Sequence, residues 1–441
     1  MKKSIMALSA ALLLGGIASA QKVDFEEYTL DNGLHVILHN DSSAPAVVTS
    51  VMYHVGAKDE KPDRTGFAHF FEHLLFEGTE NIKRGEWSKI VTANGGINNA
   101  NTSDDRTYYY EVFPSNNLEL GLWMESERML HPIINQIGVD TQNGVIKEEK
   151  RTRMDNQPYG NFLTVVKENI FKTHPYRWMP IGSMEHLDAA TLEEFQAFNK
   201  KFYTPNNAVL VVAGQIDAAQ TKKWIQKYFG TIPRGETLKK QTFVEEPITQ
   251  TIKATYQDPN IQIPAIVTAF RTPSMKTRDA RILDLISSYL SGGKSSKLYK
   301  KVVDEKKTAL EIGAFGLSQE DYGMYIIYGL PMTPFTSADV LKEIDEEIVK
   351  IQTNLISEKD FEKLKNTFDN QFVNANANLE GIAENLAKYY LLYGDINLIN
   401  SEIDLYHSIT REEIRDVAKK YLNPNQRLIL DYVPSTEQVQ N

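Results

Sequence analysis

The chain has 441 residues, a formal charge of −10 at neutral pH and no cysteine. The acidic balance argues against a nucleic-acid partner. The missing cysteines exclude thiolate metal ligands, a cysteine nucleophile and disulfide staples.

Met1-Lys2-Lys3 is a basic start, followed by an apolar run over 4–17 and the small residues Ala18-Ser19-Ala20. That layout is a secretory leader, residues 1–20, with cleavage before Gln21. The run is short for a membrane span, and no cysteine follows it to carry a lipid. The expected product is an exported chain, placed in the periplasm of a Gram-negative bacterium. Losing Lys2 and Lys3 takes its formal charge to about −12.

Over 25–40 the pattern predicts a hairpin that turns at Asn32-Gly33. A strand follows over 46–55, then a helical run over 66–76, a short helix over 87–93 and a strand over 106–112. Helices are predicted over 118–130, 143–155 and 191–202, a strand over 208–213, and a closing segment over 224–229. Residues 232–246, rich in Pro, Gly and charge, read as a linker. They divide a first domain, 21–231, from a second, 247–441.

The second domain repeats the first. Pro45-Ala46-Val47-Val48-Thr49 is answered by Pro264-Ala265-Ile266-Val267-Thr268, at an offset of 219 positions. Thr191-Leu192-Glu193-Glu194-Phe195 and Thr410-Arg411-Glu412-Glu413-Ile414 share that offset, as do Pro205-Asn206 and Pro424-Asn425. The expected fold class is therefore α+β, two homologous α/β units with helices packed on sheets. In this register His69 falls opposite Ser288 and His73 opposite Gly292, so only the first unit carries the candidate site.

That site is His69-Phe70-Phe71-Glu72-His73. On a helix, i and i+4 lie one above the other, so His69 and His73 can offer two imidazoles to one metal ion. Glu72 lies close to the same face and suits a general base. Two imidazoles leave zinc short of its usual four ligands, and a third protein ligand must come from elsewhere.

With Gly66, Glu77-Gly78-Thr79 and Gly95-Gly96-Ile97-Asn98-Asn99-Ala100-Asn101-Thr102 around it, this motif resembles the insulinase-type and mitochondrial-processing-peptidase-type zinc peptidases of the shorter bacterial kind. The resemblance implies the inverted zinc motif at His69 to His73, with Glu72 catalytic and one Zn2+ per chain. It implies a distal ligand 76 positions beyond His73, which is Glu149 in Val145-Ile146-Lys147-Glu148-Glu149. It further implies a mixed, largely antiparallel sheet in each unit, half of a clam-shell peptidase. Asn99 and Ala100 fall on an edge strand where an unfolded peptide docks by adding a strand.

Two departures stand out. Gln142 occupies the place of an acidic residue seven positions before the distal ligand. Asp304 and Glu311 occupy the places of an Arg and a Tyr that the family supplies from its other half-molecule. The resemblance then implies the zinc-bearing subunit of a heterodimer, whose partner lacks the metal motif and brings the Arg-Tyr pair. A self-sufficient homodimeric peptidase and a non-catalytic interaction subunit are the alternatives.

Other motifs carry less. Ser291-Gly292-Gly293-Lys294-Ser295-Ser296 lacks the leading glycine of a phosphate loop. Tyr108-Tyr109-Tyr110 reads as strand, and the stretch from His174 to Trp178 as a loop packed against the first domain. His35 and His39 share a strand face but stand too far apart to chelate.

Overall fold

The computed structural model describes residues 22–435, so the leader expected over 1–20 lies outside the described residues. The first unit contains β1 (Glu26–Thr29), β2 (His35–Asn40), β3 (Ala46–Tyr53), α1 (Phe67–Leu74), α2 (Trp87–Ala93), β4 (Ile97–Thr102) and β5 (Thr107–Pro114). It continues through α3 (Leu118–Leu130), α4 (Gln136–Lys150), α5 (Phe162–Ile170), α6 (Met184–Ala189), α7 (Leu192–Phe202), β6 (Ala208–Gly214) and α8 (Ala218–Phe229). The second has β7 (Ile252–Asp258), β8 (Ala265–Pro273), α9 (Arg278–Ser291), β9 (Ala309–Ser318), β10 (Tyr322–Pro331) and α10 (Ser337–Thr353). It closes with α11 (Glu358–Ala375), α12 (Leu379–Lys388), α13 (Leu398–His407), α14 (Arg411–Tyr421) and β11 (Leu428–Pro434).

The two sheets follow one plan. Their strand orders are β1-β2-β6-β3-β5-β4 and β7-β11-β8-β10-β9. In each, the last strand runs parallel to one neighbour and antiparallel to the other: β6 between β2 and β3, β11 between β7 and β8. Local chemistry repeats as well. Thr191 and Thr410 cap α7 and α14, each accepting the N–H of the Glu three residues on, whose carboxylate accepts back from the threonine N–H. Such reciprocal caps satisfy two of the free N–H groups at a helix start. Sequence and structure differ at α4, which begins at Gln136 rather than near 143. There the Asn135 side chain accepts the Gly138 N–H at 2.9 Å, and the helix runs on into a π-helical turn, Arg151–Asp155.

Each sheet is covered on both faces. On the first, Val47, Val51, Leu210 and Val212 face the helices of their own unit. The alternate residues Val48, Met52, Val209 and Val211 face Ile382, Ala383, Leu386 and Ala387 of α12. The second sheet is treated reciprocally: Val267, Ala269, Ile326 and Leu430 pack against Val165, Val166 and Ile170 of α5. Strands buried on both faces read as continuous apolar runs, and β6, Ala208-Val209-Leu210-Val211-Val212-Ala213-Gly214, is buried throughout. The units thus exchange one helix each.

A polar seam joins them alongside. Asp105 takes the Tyr176 hydroxyl at 2.5 Å and the Glu320 N–H at 2.9 Å. Glu320 in turn meets His54 at 2.8 Å, Lys58 at 2.5 Å and Lys240, in the stretch between α8 and β7, at 3.0 Å. The stretch from His174 to Trp178, expected against the first domain, also serves this seam: the Asp321 N–H donates to the Tyr176 hydroxyl at 3.1 Å. No described helix is long and apolar enough to cross a membrane.

The exchange predicts shared stability. All four tryptophans, Trp87, Trp123, Trp178 and Trp224, precede the second sheet. Leu386→Ala in α12 is expected to cost about 2–5 kcal/mol. The tryptophan fluorescence midpoint in urea shifts with the circular-dichroism midpoint, although the substitution lies in the other unit.

Candidate metal centre

Helix α1 is a short apolar segment whose polar residues are His69, Glu72 and His73, and six of its eight residues are buried. It starts at Gly66, which has φ of 96° and would bring an added Cβ to 2.9 Å from the Ile181 carbonyl. Both the positive φ and that close approach call for glycine. The first-turn N–H groups would otherwise be unpaired. Here the buried Glu60 carboxylate accepts from Gly66 N–H and Ala68 N–H, both at 2.9 Å. Burial pushes that carboxyl well above its ordinary pKa, and the two N–H groups oppose the rise.

The other end of α1 is held as firmly. The Tyr109 hydroxyl donates to the Phe71 carbonyl at 2.8 Å, and Arg128 Nη1 donates to the Leu75 carbonyl at 3.2 Å. Arg128 is fully buried between the rings of Phe76, Trp87 and Tyr109. It is balanced by Glu111 at 2.9 Å and Glu125 at 3.1 Å. An unpaired cation there would be strongly unfavourable.

Helix α4 brings Glu149 to this framework. Its Oε2 lies 3.2 Å from His73 Nε2 and 3.6 Å from His69 Nε2. One ligand atom from each of the three residues lies within 4.8 Å of the other two. The Glu149 Oε1 atom is 2.6 Å from Nη1 of the exposed Arg153, one helical turn on. Glu148 turns outward to Arg151 at 2.5 Å. The structure therefore brings His69, His73 and Glu149 together and separates Glu148 from them.

The electrostatics suit a cation. Burial first, and then the neighbouring His73, lower the His69 pKa to about 4 against the opposing pull of Glu149. At neutral pH this imidazole is uncharged and can donate a lone pair. Glu149 is held below the usual carboxylate range, first by His73. Burial raises Glu72, against the pull of Thr102 and His73. The His69 Nδ1 atom is buried with no hydrogen-bond partner among the described residues, and its Nε2 is the atom that faces Glu149. Two imidazoles and a carboxylate with no thiolate fit zinc.

The other predicted residues lie around this cluster. Gln142 donates from Nε2 to Glu77 Oε1 at 2.5 Å, while its Oε1 is buried and unpaired among the described residues. Glu77 is itself paired with Arg84. Asn99 and Ala100 sit on β4, the edge strand, where the Ala100 N–H donates to Asn99 Oδ1 at 2.9 Å. Asp304 lies in a π-helical turn after α9, and Glu311 on β9 accepts from the Tyr328 hydroxyl at 2.8 Å. In the second unit, Ser288 is in α9 and Gly292 ends it. His35 bonds Glu27 and Thr29, and His39 bonds the Asp24 carbonyl.

Sequence reasoning missed Glu60, Arg128 and Arg153. Arg153 was open to the i, i+4 rule from Glu149. Glu60 and Arg128 act from other segments, and no local spacing points to them.

Residues 35–177 match the family described as insulinase (peptidase family M16), and residues 189–368 match the peptidase M16 inactive domain. The chain is 29% identical over 434 residues to the zinc protease PqqE of Helicobacter pylori, covering 96% of this chain and 97% of that one. An uncharacterized zinc protease of Bacillus subtilis, YmxG, is 25% identical over 411 residues, with coverage of 92% and 97%. Among solved structures, a protease from Helicobacter pylori superposes with a TM-score of 0.88 at 26% identity, over 94% of this chain and all of that one. The periplasmic protease PqqL from Escherichia coli shares the fold at a TM-score of 0.78 and 19% identity, over 94% of this chain and 48% of that one. The chain belongs to the insulinase-like peptidase family M16.

Proposed function

We propose that this chain is a zinc-dependent endopeptidase acting on unfolded peptides, exported to the periplasm and working as the catalytic subunit of a heterodimer. The observation that carries the reading is the convergence of His69, His73 and Glu149 beside a half-buried Glu72. When bound, a zinc ion supplies a Lewis acid that polarises a carbonyl and lowers the pKa of water.

The chain's own residues would do the rest. His69, His73 and Glu149 would hold the ion, with Glu60 and Arg128 fixing the helix that presents the two imidazoles. Glu72, raised by burial, would take the proton from the attacking water and return it to the leaving amine. The edge strand β4, with Asn99 and Ala100, would hold the peptide by main-chain hydrogen bonds, displacing the bond that Asn99 now makes to Ala100. Gln142 would tie Glu77 to this neighbourhood without adding charge.

The partner is inferred from what stands at two positions. Asp304 and Glu311 cannot donate to a developing oxyanion as Arg and Tyr would, and Glu311 is engaged by Tyr328. A homologous subunit lacking the zinc motif would supply that pair. Export is supported by the leader-like start and by the periplasmic location of the Escherichia coli protease PqqL, which shares the fold.

Three outcomes test this reading. Mass spectrometry under native conditions should find one zinc per chain, lost in His73→Ala and kept in Glu72→Gln. Hydrolysis of a quenched unstructured peptide should require both this chain and a homologous subunit. It should fall by about 10²–10⁴ in Glu72→Gln. Full activity of this chain alone would remove the heterodimer, and hydrolysis unaffected by Glu72→Gln would remove the mechanism. Glu60→Gln should weaken zinc binding by about tenfold in chelator competition, because it loosens the helix behind the ligands.

A further inference from the structure

A cavity of about 420 Å³ is lined in part by chain neighbours of the metal cluster. Its walls include Thr65, next to the glycine at which α1 begins, and Lys150, next to Glu149. Helix α4 approaches α1 at Gly138, near Leu74 and Glu77, and again at Glu149, near His73 and His69. Thr65 stands four positions before His69, so the cavity borders both segments that carry the candidate ligands.

The lining is cationic on an otherwise acidic chain. Lys150, Lys172 and Arg177 all contribute, and Glu168 is the acid among the lining residues. Lys150 is neutralised by Asp155 at 2.7 Å. Lys172 and Arg177 make no such contact: their charged groups meet main-chain carbonyls, of Glu168 at 3.1 Å and of Lys172 at 3.0 Å, and Lys172 acts on the Glu168 carboxylate only through space. Neither has an ion-pair partner among the described residues. The Thr164 hydroxyl on the same wall is buried without a hydrogen-bond partner. Phe171, Trp178 and Ile181 add apolar surface, and Asn161, Ser183 and His186 add polar groups. Two cations without an ion pair, an unused hydroxyl and the apolar part of the wall suit a carboxylate on a short aliphatic stem.

We propose that this cavity is a specificity subsite for a carboxylate of the substrate peptide, presented as an acidic side chain near the cut bond or as the C-terminal carboxyl group. The proposal rests on the peptidase reading above and adds the substrate class. Lys172 and Arg177 make the ionic contact, Thr164 donates its hydroxyl, and Glu168 limits affinity by its like charge.

The test measures binding apart from hydrolysis. Fluorescently labelled, unstructured eight-residue peptides are titrated by anisotropy into the zinc-loaded Glu72→Gln chain. One series carries Glu or Gln at each position in turn, and a second ends in a free carboxylate or an amide, which separates the two sources. The expected result is a preference of about tenfold for the carboxylate member of at least one pair. Lys172→Met and Arg177→Leu should each reduce that preference while leaving the amide peptides' affinity within about twofold, and Glu168→Gln should increase it. Lys172 reaches only a carbonyl with its exposed side chain, so its variant keeps the test open if Arg177→Leu folds poorly. Equal binding of acid and amide peptides overturns the proposal, as does a preference that survives the double variant. Absence of any peptide binding also overturns it. The hydrolysis assay then decides separately whether the peptidase reading stands.

Discussion

The structure depends on a reciprocal exchange of helices. Each sheet has two apolar faces, and its own unit covers only one. The second face of the first sheet is closed by α12, and that of the second by α5. Without the exchange, strands such as β6 would leave a row of valines in water, at a cost of about 25 cal/mol for each Å² of apolar surface. The seam around Asp105 and Glu320 adds direction to this non-directional attraction, because charges and hydroxyls pair in one alignment only.

That constraint explains how a small helix can hold two imidazoles in a fixed place. Helix α1 has little intrinsic stability at its length. It is fixed by a buried carboxylate at its start, by a tyrosine hydroxyl and an arginine at its end, and by a packed sheet behind. The arginine in turn needs its two glutamates and three aromatic rings. The two histidines therefore rest on a chain of buried polar contacts, each satisfied by the next, and α4 is set against them by its own Asn135 cap.

Much of this was legible from sequence, for identifiable reasons. The i, i+4 histidines, the repeat at a constant offset and the paired threonine caps are local or periodic signals. Glu149 came only from the resemblance, since nothing in Val145-Ile146-Lys147-Glu148-Glu149 separates a ligand from a solvated acid. The start of α4 was misplaced because exposed Ile137 and Val145 blur the apolar stripe. The exchange itself could not be read. An amphipathic pattern shows that α5 and α12 have an apolar face, not which of two sheets it will cover. Glu60 was hidden for a related reason, capping a helix from outside its own turn.

The exchange also orders events during synthesis. The first sheet has all its strands once residue 214 is made, yet its far face stays uncovered until residues 379–388 follow. For most of its production the chain thus carries an unfinished apolar surface and cannot settle into its final form. A chain whose last quarter holds the missing helix cannot close its first sheet until nearly all of it exists.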